Sequence, residues 1–437
     1  MSYKTLEQQP SIGDSSWFKE ARFGMFIHFG TYSLAARHEW HKNFAEMTNE
    51  EYNKYFENFA PDLFDPGVWA DLAKEAGMKY FVITTKHHEG FCLWDSKYTD
   101  YKCTNTPYGK DILTPLVDAF RARGLKTGFY YSQVDWHHPD YLIDSYHPQR
   151  NNEQAIAENG KRNWENYVKY FHNQVEELVT GFGKVDLMWF DFTFPENDDS
   201  KFASKGKEEW HADEIIAKIR KHQPDILIND RLGVMQDLRT CEQVMMKSCF
   251  EHEGKPVIWE SCQTFSGSWG YHRDEYTWKS TEMLVRMLID TVSKGGNLIL
   301  NVGPNARGEI DPRAVTRLKE IGQWMRLHGR SIYGCTQAPD DFKAPNDCRF
   351  TYNPETNRLY LHIYSWPFKK IAVEGLYGKI KYAQLLNDAS EVVYTQIAPD
   401  EVENRPEKYT SIPGVTIFEL PVQKPDVAVP VIEIILK

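Results

Sequence analysis

Seven short apolar runs, each rich in β-prone residues, alternate with amphipathic helical stretches between roughly residues 20 and 330. The runs are Phe23–Phe29, Tyr80–Thr85, Thr127–Tyr131, Val185–Phe190, Ile226–Asn229, Val257–Trp259 and Asn297–Val302. The helices between them carry clear punctuation. Asp65 and Pro66 open one as N-cap and N1 proline, and Val68, Trp69, Leu72, Ala73 and Ala76 form its apolar face before Gly77. Leu113, Leu116, Val117 and Phe120 line a second, and Asp311-Pro312 opens the last. Buried strands that alternate with helices require a parallel sheet, and about 300 residues of such units predict a TIM-like (β/α) barrel. Seven strands where a closed barrel has eight predict an irregular one. A doubly wound open sheet is the alternative, but no GxGxxG follows the first strand.

The pattern changes after Tyr333. Arg358–Ser365 alternates with period two, and Val415–Leu420 and Val427–Leu436 are short β-rich runs between Pro and Gly turns. The expected organisation is a catalytic barrel over 1–335 and a C-terminal antiparallel β-sandwich over 336–437. The polar stretch Asp144–Asn163 reads as a long loop over the barrel mouth.

In a parallel barrel, chemistry sits at the carboxyl ends of the strands. Here those ends are polar in succession: His28, then Lys86-His87-His88-Glu89, Tyr130-Tyr131-Ser132, Asp191, Asn229-Asp230-Arg231, Trp259-Glu260-Ser261 and Asn301. An isolated Asp after an apolar strand caps a loop as readily as it serves a site. Asp191, which ends Lys184-Val-Asp-Leu-Met-Trp-Phe-Asp191, shares its mouth with the other polar ends.

Composition narrows the chemistry. A formal net charge of −11 argues against nucleic-acid and anionic-membrane partners. No run of 18 apolar residues occurs, and the first ten residues lack an apolar signal core. The seven cysteines form no CxxC pair, which fits reduced thiols. A cytoplasmic location is expected, although a removed signal peptide would leave the same text. Aromatic residues make up 14% of the chain, which suits stacking on sugar rings as well as core packing.

No phosphate-binding glycine loop and no GxSxG elbow are present. A metal-dependent hydrolase using His28, His87, His88 and Asp191 is a competing reading. Against it, adjacent histidines on a strand face opposite sides, and neither HxH nor HExxH spacing occurs. The surplus consists of carboxylates (Glu39, Asp191, Glu242, Glu260), neutral donors, one Arg and many Trp. Glycoside hydrolysis needs such a set: one carboxylate at the anomeric carbon and a second acting as proton donor.

Several stretches, in order, resemble the α-L-fucosidases of glycoside hydrolase family 29. They are Trp17–Gly30, Glu39-Trp40, Lys86-His-His-Glu-Gly-Phe-Cys-Leu-Trp94, Gly128–Ser132, Trp189-Phe-Asp191, Asn229-Asp-Arg231, Trp259-Glu260 with Ser268–Tyr271, and Lys294–Pro304. The resemblance implies a retaining exo-α-L-fucosidase acting on terminal fucosyl residues of glycans or glycosides. It implies Asp191 as nucleophile and His28, Glu39, His87, His88, Tyr130 and Arg231 as groups that bind sugar hydroxyls or hold the nucleophile. Trp40, Trp189 and Trp269 are implied as pocket walls. Glu242 resembles the family's acid/base, with Glu260, Glu251 and Glu253 as rivals. No metal or organic cofactor is expected, the partner is a fucosylated oligosaccharide or glycoside, and a homo-oligomer is left open. A catalytically dead fucose-binding relic is a different-class reading, opposed by the presence of both Asp191 and Glu242.

Overall fold

A computed structural model describes residues 13–194, 202–252, 255–398 and 414–437. Its frame is one parallel sheet of eight strands. They are β1 (Phe23–Ile27), β2 (Tyr80–Lys86), β3 (Lys126–Ser132), β4 (Leu187–Asp191), β5 (Leu227–Ile228), β6 (Arg239–Glu242), β7 (Trp259–Thr264) and β8 (Asn297–Val302). The order is β5-β4-β3-β2-β1-β8-β7-β6. A parallel bridge between Asn229 and Leu238 joins the two edges, and the Asp237 N–H donates to the Ile228 carbonyl at 3.0 Å. The sheet therefore closes on itself as a barrel, which leaves no unpaired edge.

The expectation of seven strands is corrected to eight. β6 is the short polar run Arg-Thr-Cys-Glu, and no helix lies between it and β5. Without an apolar run or a preceding helix, it carried no periodic signal. Among the described residues no helix precedes β6 or β7, and that is where the barrel is irregular. A second correction concerns β7, expected over Val257–Trp259. The strand begins at Trp259 and runs to Thr264, because its later residues, Ser261, Gln263 and Thr264, are polar yet buried.

Alternation along the strands sorts the residues into two shells. Phe26, Tyr80, Val82, Tyr130, Leu187, Trp189, Leu227 and Ile299 form a cluster inside the barrel, with Phe18 of the helix Ser16–Ala21 among them. Met25, Phe81, Ile83, Phe129, Met188 and Phe190 face outward into the larger core under the helices. Pro66–Glu75 buries Trp69, Leu72 and Ala73 of its expected face, with Ala70 beside them, but Val68, expected on that face, is 60% exposed. Leu113–Ala122 buries Leu113, Leu116, Val117 and Phe120 as expected. The Asp65 carboxylate caps the first by accepting from the Gly67 N–H at 2.8 Å. Gly24 makes room inside the barrel, since a Cβ there would lie 2.4 Å from the Tyr80 ring.

The stretch Asp144–Asn163 is not a plain loop. It contains the helices Glu153–Ala157 and Glu158–Lys161, the first capped by the Asn152 side chain.

Two antiparallel sheets follow the barrel. One has four strands in the order Cys348–Asn353, Arg358–Ile363, Val431–Leu436, Ile380–Leu385. The other has three, in the order Lys370–Val373, Thr416–Glu419, Tyr394–Gln396. Leu359, Leu361, Val373, Phe418, Ile432 and Ile434 pack between them. The barrel helix Pro312–His328 touches this region through Trp324, whose indole N–H donates to the Val429 carbonyl at 2.9 Å. Cys92, Cys103, Cys241, Cys262, Cys335 and Cys348 are free and buried.

Candidate active site

β4 delivers Asp191 to the barrel mouth because its side chains alternate: Leu187 and Trp189 point inward, Met188 and Phe190 outward. Asp191 comes next on the inward face as the last residue of the strand. The chain then turns sharply at Phe192, a non-glycine residue with φ of +81°. Such a conformation is costly, and it persists where surroundings hold it. Here the Phe192 ring packs 5.5 Å from Trp40 and 5.1 Å from His88.

Both oxygens of Asp191 have donors. The Tyr130 hydroxyl donates to Oδ2 at 2.8 Å, and Arg231 Nη1 donates to Oδ1 at 2.7 Å. Its backbone N–H donates to Gln133 Oε1 at 2.8 Å. Burial, with the Asp191 charge beside it, raises Tyr130 well above the usual tyrosine range, so it stays a hydroxyl donor.

Arg231 follows β5, and it joins two carboxylates. Nη2 donates to Glu242 Oε2 at 2.9 Å, while Nε donates to Thr240 Oγ1 at 3.1 Å. Burial opposes its charge, yet Asp191 and then Glu242 hold the guanidinium well above its usual range. Glu242 closes β6 and so stands at a strand end. Its side chain is 42% exposed, the most accessible carboxylate of the cluster.

His28, His87 and His88 line the mouth next to Asp191. β2 ends at Lys86, so alternation does not separate the two adjacent histidines, and their rings lie 4.0 Å apart. This corrects the expectation that they face opposite sides. Ser132 donates its hydroxyl proton to the Val134 carbonyl at 2.7 Å and so accepts from His88 Nδ1 at 2.6 Å. That bond leaves Nε2 of the neutral ring as an acceptor, 3.9 Å from Asp191 Oδ2. His28 is arranged the same way. Its Nδ1 meets Asn301 Oδ1 at 2.6 Å, and Asn301 Nδ2 donates to the Trp269 carbonyl at 2.7 Å. Burial first, and the neighbouring His87 second, hold His28 and His88 well below the usual histidine range, so both are neutral. His87 stacks 5.7 Å from Tyr130, and its Nδ1 lies 3.5 Å from Glu89 Oε2.

Glu39 is buried and reaches across to the segment after β7. Its Oε2 accepts from the backbone N–H groups of Trp269 and Gly270 at 3.1 and 2.9 Å. Its Oε1 has no donor among the described residues. The nearest nitrogen, His38 Nδ1 at 3.3 Å, already accepts the Trp40 N–H. Trp269 stands 5.1 Å from His28, and Trp40 stands 5.1 Å from His88.

Two expectations are revised by position. Trp189 is not a wall of the pocket. It is 2% exposed inside the barrel, beneath Tyr130 and Arg231, with its Nε1–H donating to Glu260 at 3.0 Å. Glu260 is not at a carboxyl end. It is the second residue of β7, paired in register with Asn297 at the start of β8. Its carboxyl accepts from Tyr80 at 2.5 Å and sits deep in the barrel, fully buried. Burial pushes its pKa up to about 7, against the two hydrogen bonds. Glu253 and the side chain of Glu251 lie outside the described residues.

Sequence reasoning missed the supporting groups. Gln133 receives the Asp191 N–H and donates to Thr193 and the Arg231 carbonyl at 3.0 and 3.1 Å. Ser132 and Asn301 were visible as polar strand ends, but their task of fixing histidine tautomers was not. Phe192 and Trp136 carried no signal beyond being aromatic. Among the described residues, no group of three or more His, Cys, Asp or Glu side chains is placed to hold a metal ion.

A family model described as Alpha-L-fucosidase matches residues 2–330. The tissue alpha-L-fucosidase of Bos taurus is 32% identical over 351 residues, 73% of this chain and 68% of that protein. The plasma alpha-L-fucosidase of Homo sapiens is 30% identical over 385 residues, 80% of this chain and 76% of that protein. Among solved structures, alpha-L-fucosidase isoenzyme 1 from Paenibacillus thiaminolyticus superposes with a TM-score of 0.88 at 42% identity, covering 97% of this chain and 98% of that one. A GH29 alpha-L-fucosidase from Bacteroides thetaiotaomicron, trapped as a covalent intermediate with 2-fluoro-fucosyl fluoride, gives 0.82 at 27% identity over 99% of this chain and 100% of that one. The chain belongs to the α-L-fucosidases of glycoside hydrolase family 29.

Proposed function

We propose that this α-L-fucosidase removes terminal α-L-fucosyl residues with retention, Asp191 acting as nucleophile and Glu242 as acid/base. The observation that carries the pairing is the Arg231 guanidinium, which holds Asp191 with one terminal nitrogen at 2.7 Å and Glu242 with the other at 2.9 Å. Two carboxyl groups held by one guanidinium are close neighbours, as double displacement requires and as inversion, with its wider gap for water, does not.

In the first step a lone pair of Asp191 forms the bond to the anomeric carbon. The bond to the aglycone oxygen breaks, and Glu242 gives that oxygen its proton. In the second step Glu242 takes a proton from water, whose oxygen bonds to the anomeric carbon from the face the aglycone left while the bond to Asp191 breaks. Arg231 and Tyr130 aim Asp191 throughout. For proton transfer the half-exposed Glu242 swings from Arg231 towards the leaving oxygen.

The acceptor Nε2 atoms of His28 and His88 and the unpaired Oε1 of Glu39 offer three sites for sugar hydroxyl protons. Trp40 and Trp269 supply apolar faces for the 6-methyl group. A fucosylated glycan or glycoside is the substrate class, a reading supported by the similar enzyme trapped with 2-fluoro-fucosyl fluoride. We also place the boundary between catalytic barrel and sandwich at residues 335 and 336, after the helix that ends at His328 and before the strand that starts at Cys348.

Proton NMR of 4-nitrophenyl α-L-fucoside during early turnover tests retention. α-L-Fucose is the expected first product. First release of the β-anomer would overturn the double-displacement reading.

A further inference from the structure

A second cavity, of about 310 Å³, lies beside the catalytic mouth between the helix Asn49–Glu57 and residues 136–162. That size stands at the lower end of ligand pockets, roughly 300–1,000 Å³. The catalytic groups do not enter it. Trp136 separates the two spaces: its ring packs 5.2 Å from Trp40 and 5.3 Å from His88, and it also lines the cavity.

The lining is rich in hydrogen-bond donors. The Trp136 Nε1–H and the Arg162 Nε–H are buried and have no partner among the described residues. Trp136 itself is 2% exposed. An unpartnered buried N–H costs about 1–3 kcal/mol, so two of them at one cavity point to a ligand that supplies acceptors. Two histidines add to the set. His138 Nδ1 accepts the Asp140 N–H at 3.1 Å, and His147 Nδ1 accepts the Gln149 N–H at 3.0 Å. Each ring therefore carries its proton on Nε2 when neutral. Burial keeps both below the usual range, His147 at about 3. Glu50 lines the same cavity, which disfavours an anion. The remaining fit is a neutral ring bearing many oxygens.

We infer that this cavity is a second carbohydrate site, which binds a sugar unit other than the fucosyl residue being cleaved. The choice of a sugar rests on the fucosidase reading, while the donor set and the cavity are independent of it. Trp136 forms the wall towards the catalytic site and has its N–H as a donor for a hydroxyl oxygen. His147 and Arg162 complete the donors.

Lactose is the probe, titrated by calorimetry or saturation-transfer NMR against the full chain with the fucosyl pocket saturated by L-fucose. Lactose is expected to bind under these conditions. His147→Asn keeps the acceptor for Gln149 and removes the Nε2 donor. It should weaken lactose about fivefold, the loss of one hydrogen bond, and leave kcat/KM on 4-nitrophenyl α-L-fucoside within twofold. Ala155→Phe, on a residue lining the cavity, should block lactose with the same sparing of the aryl substrate. If His147→Asn also raises KM for 2′-fucosyllactose, the bound sugar belongs to the substrate itself. An unchanged KM with weakened lactose assigns the site to a separate glycan end. No lactose binding in the presence of fucose, binding unaffected by both variants, or inorganic phosphate binding in its place would overturn the inference. Inactivity on the aryl fucoside would instead sink the fucosidase reading and leave the lactose result standing.

Discussion

The Arg231 guanidinium lies 4.9 Å above the ring of Trp189, a residue buried in the barrel. The cation that holds Asp191 and Glu242 thus rests on an indole whose own N–H is fixed by Glu260 at 3.0 Å. A planar fork stacked on an aromatic face loses little freedom when it binds carboxylates. Lysine at this position keeps the charge but offers neither the fork nor the stacking. Arg231→Lys should lower kcat/KM on 4-nitrophenyl α-L-fucoside by roughly a hundredfold, the scale of losing one preorganised donor, with the circular dichroism spectrum unchanged. Near-wild-type turnover would mean that the clamp is dispensable.

Tyr130 donates the other hydrogen bond to Asp191, at 2.8 Å. Tyr130→Phe removes only that hydroxyl. A hydrogen bond to a charged group is worth about 1.5–3 kcal/mol, so kcat should fall roughly ten- to hundredfold while KM moves little. Steady-state kinetics on the aryl fucoside check the split. A dominant rise in KM would instead assign Tyr130 to substrate binding.

Ser132 positions His88 by accepting its Nδ1–H at 2.6 Å. Ser132→Ala frees the ring to turn and to exchange tautomers. KM should rise several-fold, on the order of one hydrogen bond, with a smaller change in kcat. Loss confined to kcat would contradict the assignment of His88 Nε2 to a sugar hydroxyl.

Glu260 links the barrel interior to pH. Burial raises its folded pKa to about 7 from the 4.5 usual for a glutamate. The unfolded chain therefore releases this proton first as pH rises. Stability falls between the unfolded and folded pKa values and is flat above, with a total loss on the order of 3 kcal/mol. Urea unfolding at pH 5 and pH 8 should show this loss in the wild type, and Glu260→Gln should remove most of it. Equal pH dependence in both proteins would place the titrating group elsewhere.

Much of the site could be read from the chain. Asp191, His28, His87 and His88 follow apolar strands, and that pattern alone brings them to one mouth. Arg231 was legible as a polar strand end, but its grip on Glu242 was not. That contact exists because β6 closes the barrel against β5, and β6 is four polar residues with no helix before it. Glu260 was misplaced for a related reason: hydrophobicity marks the wrong end of a strand whose buried residues include Ser261, Gln263 and Thr264. Barrel interiors admit such residues when hydrogen bonds satisfy them, and apolar patterning does not register them. The family resemblance implied Trp189 as a pocket wall. The inward alternation instead carries it one layer down, into the floor.

The central claim is that Asp191 is the nucleophile of a double displacement. Reaction of the protein with 2-fluoro-fucosyl fluoride, followed by peptide mass spectrometry, tests it directly. One fucosyl adduct on the peptide containing Asp191, localised to that carboxylate and absent from Asp191→Ala, is the predicted result. No adduct despite turnover of the aryl fucoside, or an adduct on Glu242 or Glu260, would contradict the account.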